Sequence, residues 1–467
     1  MIKKFILIAA ILLPGVCGYA QNVESYVHQY SQEEDYVIPD DPLVLEKLSQ
    51  WQDLKFGVLF HWGLYSIAGT LESWCICSED HEPWEHGERI KRGMNYEEFK
   101  SWYWGLNRSM NPVLFNPEKW ADVMQDAGAK YMIITTKHHD GFCMFDTKYT
   151  DFKITNTPFG SNPRADVFKY VTQAFRDKGF WIGAYFSKPD WHCPWFWNPL
   201  YATANRHENY RRELHPDWWQ NYVNYTQGQL NELTSNYGPI DILWLDGGWV
   251  DGHEIDLGSA LTGIRERHPG LICVDRACRN EFENYQTPEC SIPPVQRNIP
   301  WETCDPLASW GWVNNPSYKS ARKVICNLTE VVAKGGNYLL GVGPTPAGTI
   351  DEGAQAILAQ VGDWMDKNGE AIYNTVITPI YNDGKVWFTA SKDGKTVYAV
   401  YALGDGETLP ETIEWTGNVP AGKVTMVAGG KTLKTKVSGD KVTVTLPKNI
   451  AQESVALKFF VNFAAQQ

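Results

Sequence analysis

Six short apolar runs, five of them ending in a cluster of polar residues, constrain this chain more than any other feature. They cover residues 55–60, 130–136, 180–186, 240–246, 271–275 and 338–342. Each is rich in Val, Ile and Leu and bounded by Gly or polar residues, which is the pattern of a buried strand. Stretches with helical spacing lie between them. Asn116 can cap one that opens on Pro117. Residues 166–177 place Val167, Tyr170, Val171 and Phe175 on one face, and 218–233, 257–267 and 320–333 read as three more helices. Strands alternating with helices predict a parallel sheet. Their number fits an α/β fold of the (β/α) TIM-like barrel type better than an open sheet.

After about residue 374 the pattern changes to short β-branched segments at 386–390, 396–402, 412–415, 424–428, 441–446 and 455–460, separated by Gly, Asp, Lys and Pro. This predicts a C-terminal all-β sandwich. The expected organisation is a leader over 1–20, a catalytic barrel over 21–373 and a β-sandwich over 374–467. Met1-Ile2-Lys3-Lys4, an apolar stretch over 5–16 and then Gly18-Tyr19-Ala20 form a secretory signal cut after Ala20. Cys17 keeps a lipoprotein as the alternative, although Pro14-Gly15-Val16 is a poor lipobox. The expected location is periplasmic or extracellular, and no later run is long and uncharged enough for a membrane span.

A net charge of −13 argues against nucleic acid or an anionic membrane as partner. The 21 Trp, 23 Tyr and 19 Phe fit either a large packed core or a carbohydrate cleft, in which sugar C–H faces lie on aromatic rings. The cysteines beyond the leader match no zinc spacing. They read as small buried hydrophobes, with one or two disulfides left open.

A barrel collects its chemistry at the C-terminal ends of its strands. Here those ends carry His61-Trp62-Gly63, Lys137-His138-His139-Asp140-Gly141, Ser187 with Asp190-Trp191-His192, Asp246-Gly247-Gly248, and Asp275-Arg276. Any one of these alone is an ordinary loop; five together point to a site. Asp246 stands directly after a hydrophobic strand, where a rigidly held carboxylate can attack an anomeric carbon. The competing reading is a helix N-cap. The glycines after it read as room for a ligand against the backbone. His138-His139-Asp140 has a metal-binding alternative, disfavoured because neighbours on a strand point to opposite faces. Two imidazoles suit vicinal sugar hydroxyls.

The chain resembles the family 29 glycoside hydrolases, the α-L-fucosidases. Four stretches carry the likeness: Lys55-Phe56-Gly57 through His61-Trp62-Gly63-Leu64-Tyr65-Ser66; Thr135 through Lys137-His138-His139-Asp140-Gly141-Phe142; Asp241 through Trp244-Leu245-Asp246-Gly247; and Lys334-Gly335-Gly336-Asn337 through Gly343-Pro344. The resemblance implies an exo-acting, retaining hydrolase with no cofactor and no metal. Its partner would be a fucosylated oligosaccharide or glycoconjugate, with a homo-oligomer left open. It implies Asp246 as nucleophile and His61, His138 and His139 as ligands of sugar hydroxyls. Trp244 would line the pocket, and Tyr185 and Arg276 would contact fucose and the nucleophile region. Trp310 would lie on the C6 methyl, and Trp62, Glu72 and Trp74 complete the substrate-binding set. The acid/base falls in a variable loop before Trp301-Glu302-Thr303-Cys304, where Glu289 is the choice; Glu72 and Glu302 are its rivals. Two departures are Ser73, which separates Glu72 from Trp74, and Gly341, where relatives often carry Asn. The alternatives are the same chemistry on another L-sugar such as α-L-galactose, or a non-catalytic carbohydrate-binding barrel.

Overall fold

Strand alternation sorts the barrel's side chains into two apolar shells. Leu59, Tyr131, Ile133, Tyr185, Ile242, Trp244, Ile272, Val274 and Leu339 fill the barrel interior. Their odd-numbered or even-numbered neighbours, such as Val58, Phe60, Ile134, Leu243 and Leu340, pack outward under the surrounding helices. Full burial of an aliphatic side chain of this kind contributes roughly 1.5–3 kcal/mol.

The structure is a computed structural model and describes residues 31–77 and 91–461. The expected leader over 1–20 lies outside the described residues. Seven parallel strands form the first sheet: β1 (Phe56–Phe60), β2 (Tyr131–Lys137), β3 (Trp181–Ser187), β4 (Ile242–Asp246), β5 (Ile272–Asp275), β6 (Glu302–Pro306) and β7 (Asn337–Val342). Their order, β5-β4-β3-β2-β1-β7-β6, leaves β5 and β6 as the two edges of a curled sheet. Irregular chain fills the gap between them. The Asn284 amide donates to the Cys273 carbonyl at 2.9 Å, and the Glu302 amide donates to the Gln286 carbonyl at 2.9 Å. The Cys290 amide donates to the Cys304 carbonyl, also at 2.9 Å. Residues 284–290 thus stand where an eighth strand would be, and Glu289 rides on them.

The helices Pro117–Asp126, Val167–Arg176, Pro216–Ser235, Leu257–Arg267 and Ala321–Ala333 lie where helical spacing predicted them, within a few residues. Asn116, Asp166 and Ser320 each accept a backbone N–H at the helix start, an interaction of about 1 kcal/mol. Four helices among the described residues, Pro42–Leu54, Leu64–Ala68, Tyr96–Trp104 and Glu352–Asn368, were not expected. The first is the clearest case. Pro42 sits at the first turn and Asp41 accepts from the Leu43 amide, the pairing that starts a helix. This helix sends Trp51 into the barrel interior, stacked on Tyr285 with ring centroids 4.1 Å apart.

Beyond residue 374 two antiparallel sheets face each other. One pairs Thr425–Met426, Val455–Phe460, Thr396–Tyr401, Val386–Ser391 and Thr375–Val376, with Asn382–Asp383 on its flank; the other pairs Thr412–Thr416, Lys441–Thr445 and Lys434–Ser438. Phe388, Ile413, Trp415, Val442, Val444, Leu457 and Phe459 form their shared core. The sandwich is tied to the barrel by Trp364 Nε1, which donates to the Ser454 carbonyl at 2.8 Å, and by Lys458 on Glu370 at 2.8 Å. Most of the cysteines are buried, as expected, and the disulfides left open do not form among the described residues, where all nine cysteines are free.

Candidate active site

Alternation decides what reaches the pocket. Asp246 shares the inward face of β4 with Ile242 and Trp244, and Arg276 continues the inward face of Ile272 and Val274. The two meet at the top of the barrel: Arg276 Nη1 donates to Asp246 Oδ1 at 3.0 Å, while Tyr185 donates its hydroxyl to Oδ2 at 2.6 Å. Burial acts to raise the Asp246 carboxyl. The Arg276 charge, then His139, then the Tyr185 hydrogen bond outweigh it and hold the group far below the usual range. Asp246 is therefore an ionised carboxylate, and its side chain is still 14 % exposed. It caps no helix: the following helical segments start at Asp251 and Asp256.

Glu289 arrives on the stand-in for the eighth strand and takes the other arm of the same guanidinium, Arg276 Nη2. Its second oxygen accepts from Trp310 Nε1 at 3.0 Å. Glu289 is 15 % exposed, comparable to Asp246. One fork thus holds two partly exposed carboxyls; its guanidinium carbon lies 5.4 Å from the buried Trp244 ring, which stacks with Tyr185 at 5.2 Å.

Imidazoles line the remaining wall. His61 lies 5.9 Å from His138 and 5.0 Å from Trp310 between ring centroids. Burial and then the His138 charge push His61 down to about 3, so it is neutral. Glu72 Oε1 lies 3.4 Å from His61 Nε2 and 3.5 Å from His138 Nε2. Burial raises the Glu72 carboxyl. Burial opposes charge on His138 too, but its hydrogen bond to Glu72 and that carboxylate's charge raise it overall. Ser73 binds His138 Nδ1 at 2.5 Å, so the residue separating Glu72 from Trp74 orients an imidazole.

His139 is neutral for the opposite balance: burial first and then the His138 charge push it well down. The Ser187 hydroxyl donates to the Pro189 carbonyl at 2.7 Å, so it accepts from His139 Nδ1 at 2.6 Å. That fixes the tautomer and leaves Nε2 as an acceptor, 3.8 Å from Asp246 Oδ2. A sugar hydroxyl between them would donate to either.

Several expectations need correcting. Adjacent histidines were expected on opposite faces, yet the His138 and His139 rings lie together, tilted by 47° with centroids 4.2 Å apart. The β2–β3 register shifts between Thr135 and Lys137, and the chain has left the strand by residue 138, so alternation no longer holds. Trp62 does not face the pocket. It is 1 % exposed, packs on Phe115 and Trp120, and donates to the Thr345 carbonyl at 3.1 Å. Its neighbour His61 takes the inward position, so alternation sends Trp62 outward. Gly247 is not there for a ligand: its φ is +85°, and a Cβ would sit 2.2 Å from Pro189 Cδ. Gly341 makes room for Trp310, whose Cζ3 would lie 2.6 Å from an added Cβ. Glu302 points into the barrel below the pocket. It is 0 % exposed and accepts from Tyr131 at 2.8 Å and Trp244 Nε1 at 3.0 Å. Asp275 is likewise structural, paired with buried Lys188.

Trp249 was missed by the sequence reading. Its ring lies 5.0 Å from His139 and 5.4 Å from Trp74, which itself stands edge-on to His139 at 5.1 Å. Its position three residues after Asp246 was the available signal.

A family model described as Alpha-L-fucosidase matches residues 23–370. Human tissue alpha-L-fucosidase is 29 % identical over 467 aligned residues, covering 94 % of this chain and 93 % of that one. Among solved structures, alpha-L-fucosidase isoenzyme 1 from Paenibacillus thiaminolyticus superposes with a TM-score of 0.74 at 28 % identity, covering 90 % of this chain and all of that one (100 %). Thermotoga maritima alpha-fucosidase, solved with a mechanism-based inhibitor, gives 0.72 at 28 % identity over 91 % of this chain and 100 % of that chain.

Proposed function

The chain belongs to the α-L-fucosidase family of glycoside hydrolases, and from that premise we propose that Asp246 and Glu289 are the nucleophile and the acid/base of a retaining, exo-acting fucosidase. The observation that carries the assignment is the Arg276 fork, which holds both carboxyls at one accessible pocket. Asp246 is ionised and attacks C1 of a terminal α-L-fucosyl residue. Glu289 delivers its proton to the leaving oxygen, and the glycosidic C–O bond breaks as the bond from C1 to Asp246 Oδ forms. Glu289 then takes a proton from water, which displaces Asp246 and releases fucose with its configuration retained. A retaining pair is expected about 5–5.5 Å apart, a spacing consistent with sharing one guanidinium.

The surrounding groups have separable roles in this reading. Neutral His61 and His139, with the His138–Glu72 pair, meet the hydroxyls. Tyr185 steadies the nucleophile. Trp310, given room by Gly341, supplies the apolar surface for the C6 methyl, which distinguishes fucose from L-galactose. Glu302 has both oxygens occupied inside the barrel and no exposure, so it positions Trp244 and does not serve as the acid. Export belongs to the same proposal and rests on the basic and apolar pattern over 1–20. Proton NMR of an aryl α-L-fucoside during hydrolysis tests the reading: the first fucose released should be the α anomer. First release of the β anomer would contradict it.

A further inference from the structure

We propose that Glu283 is a positioning residue for the reaction: its carboxylate holds the turn after β5 that aims Arg276 at Asp246 and Glu289, and Ser31 fastens that carboxylate from the N-terminal segment. The inference rests on the roles given above to Arg276, Asp246 and Glu289, and goes beyond them by naming what sets the fork.

Arg276 stands just past the end of β5, where its amide donates to the Leu245 carbonyl at 3.1 Å. Its guanidinium reaches Asp246 through Nη1 and Glu289 through Nη2, beside the Trp244 ring. Its Nε is buried and makes no hydrogen bond among the described residues. The head of the side chain therefore binds the two reacting carboxyls, and its aim is set by the backbone that carries it. That backbone turns back at once. Val274 and Glu283 pair as an antiparallel bridge, and the Asp275 amide donates to the Phe282 carbonyl at 3.2 Å. Within the turn Ala277 and Arg279 adopt left-handed φ values of +61° and +57°. Residues with a side chain take that conformation at a cost and keep it only where their surroundings impose it.

Glu283 imposes it on both. Its Oε1 accepts from the Ala277 amide at 3.1 Å and its Oε2 from the Arg279 amide at 3.2 Å. Oε2 also accepts from the hydroxyl of Ser31, and both residues are buried. The N-terminal segment closes on the same turn at three more points. Asp35 pairs with Arg279 Nε at 3.4 Å, the Tyr36 hydroxyl donates to the Asn284 carbonyl at 3.1 Å, and Gln286 Nε2 donates to the Gln32 carbonyl. Residues 284–290 follow directly and carry Glu289. One buried carboxylate thus stands at the junction between the turn that bears the fork and the segment that bears the proposed acid/base. Removing it leaves two buried N–H groups unmet, which favours a changed turn over an unchanged one.

The test uses the full chain and the variants Glu283→Ala, Glu283→Gln and Ser31→Ala on two substrates, an aryl α-L-fucoside with an activated leaving group and a fucosyl disaccharide. The quantity read is the ratio of kcat/KM for the first over the second. A smaller folded fraction lowers both rates alike and leaves the ratio where it was. A misaimed Glu289 lowers the disaccharide rate more, because only that leaving oxygen needs its proton. The ratio should rise by about tenfold in Glu283→Ala, within the 10²-fold that a misplacement of about 1 Å can cost. Glu283→Gln keeps one acceptor oxygen and should recover much of the wild-type ratio. Ser31→Ala keeps the carboxylate and should move the ratio in the same direction by less. An unchanged ratio beside a lowered melting temperature would overturn the proposal and leave Glu283 a purely stabilising group. Should Glu283→Ala fail to fold, the ratio in Glu283→Gln and Ser31→Ala decides in the same way. A wild-type chain that cleaves neither substrate would count against the fucosidase reading, whereas cleavage of both with equal losses in the variants would count against Glu283 alone.

Discussion

Trp310 donates its indole N–H to Glu289 across 3.0 Å, so the aromatic expected against a methyl group also aims the proposed acid/base. The two roles can be separated. Trp310→Phe keeps an apolar ring and loses the N–H; kcat/KM should fall more for poor leaving groups than for activated aryl fucosides. Trp310→Ala should also lose preference for fucose over L-galactose, by roughly 10-fold for one methyl contact. Gly341→Ala should partly mimic Trp310→Ala, because the added methyl would collide with the ring. Steady-state kinetics on paired fucosides and L-galactosides checks all three.

The Arg276 fork makes a pH prediction. In the proposed mechanism Asp246 must be ionised to attack, and the Arg276 charge is the leading influence holding its carboxyl down against burial. Removing that charge in Arg276→Gln lets the carboxyl rise, so protonation begins at higher pH. The acid limb of the kcat/KM profile should therefore move upward in pH, with activity lost first on the acidic side. Arg276→Lys keeps a cation but cannot fork to both carboxyls; it should shift the limb less while still lowering kcat. An acid limb unmoved in Arg276→Gln would contradict the electrostatic account.

Glu289 and Glu72 differ in what their loss should do. Glu289→Gln should lower kcat by about 10²–10⁴ on natural linkages and much less on a substrate whose leaving group needs no proton. Glu72→Gln breaks the contacts to His61 and His138, so it should weaken every substrate alike. The reverse pattern would exchange their roles.

Glu302 is a stability matter. Burial raises its carboxyl to about 7 in the folded protein, against an ordinary value of 4.5. Between those values the unfolded chain has released its proton and the folded protein has not, so stability falls as pH rises through that window. The cost reaches about 3 kcal/mol at the upper end by the linkage relation. Glu302→Gln mimics the protonated form. Its melting temperature relative to wild type should climb between about pH 5 and 7, with aryl-fucoside turnover retained. Loss of turnover at unchanged stability would restore Glu302 as a catalytic candidate.

Much of the barrel was legible because its strands are buried on both faces and read as apolar runs. β6 was not, since Glu302-Thr303-Cys304-Asp305-Pro306 carries two acids that are paired inside the fold. Only tertiary partners make that segment a strand. Asp246 and Arg276 could be found because strand parity carries inward-facing residues to the pocket. Trp62 looked equivalent to His61 by proximity, and parity is what separates them. His138 and His139 broke the same rule because the register slips at the end of β2. Glu289 has no periodic signal at all: its segment is irregular chain held by β5 and β6, and only likeness to a family marked it.

The most direct measurement is chemical rescue of Asp246→Gly. Removing the carboxylate should abolish turnover of an aryl α-L-fucoside, and added azide should restore it by entering the space left by the side chain. The product should be β-L-fucosyl azide, formed by a single inversion at C1. Turnover close to wild type without azide, or loss that azide cannot repair in a folded variant, would contradict a covalent role for Asp246.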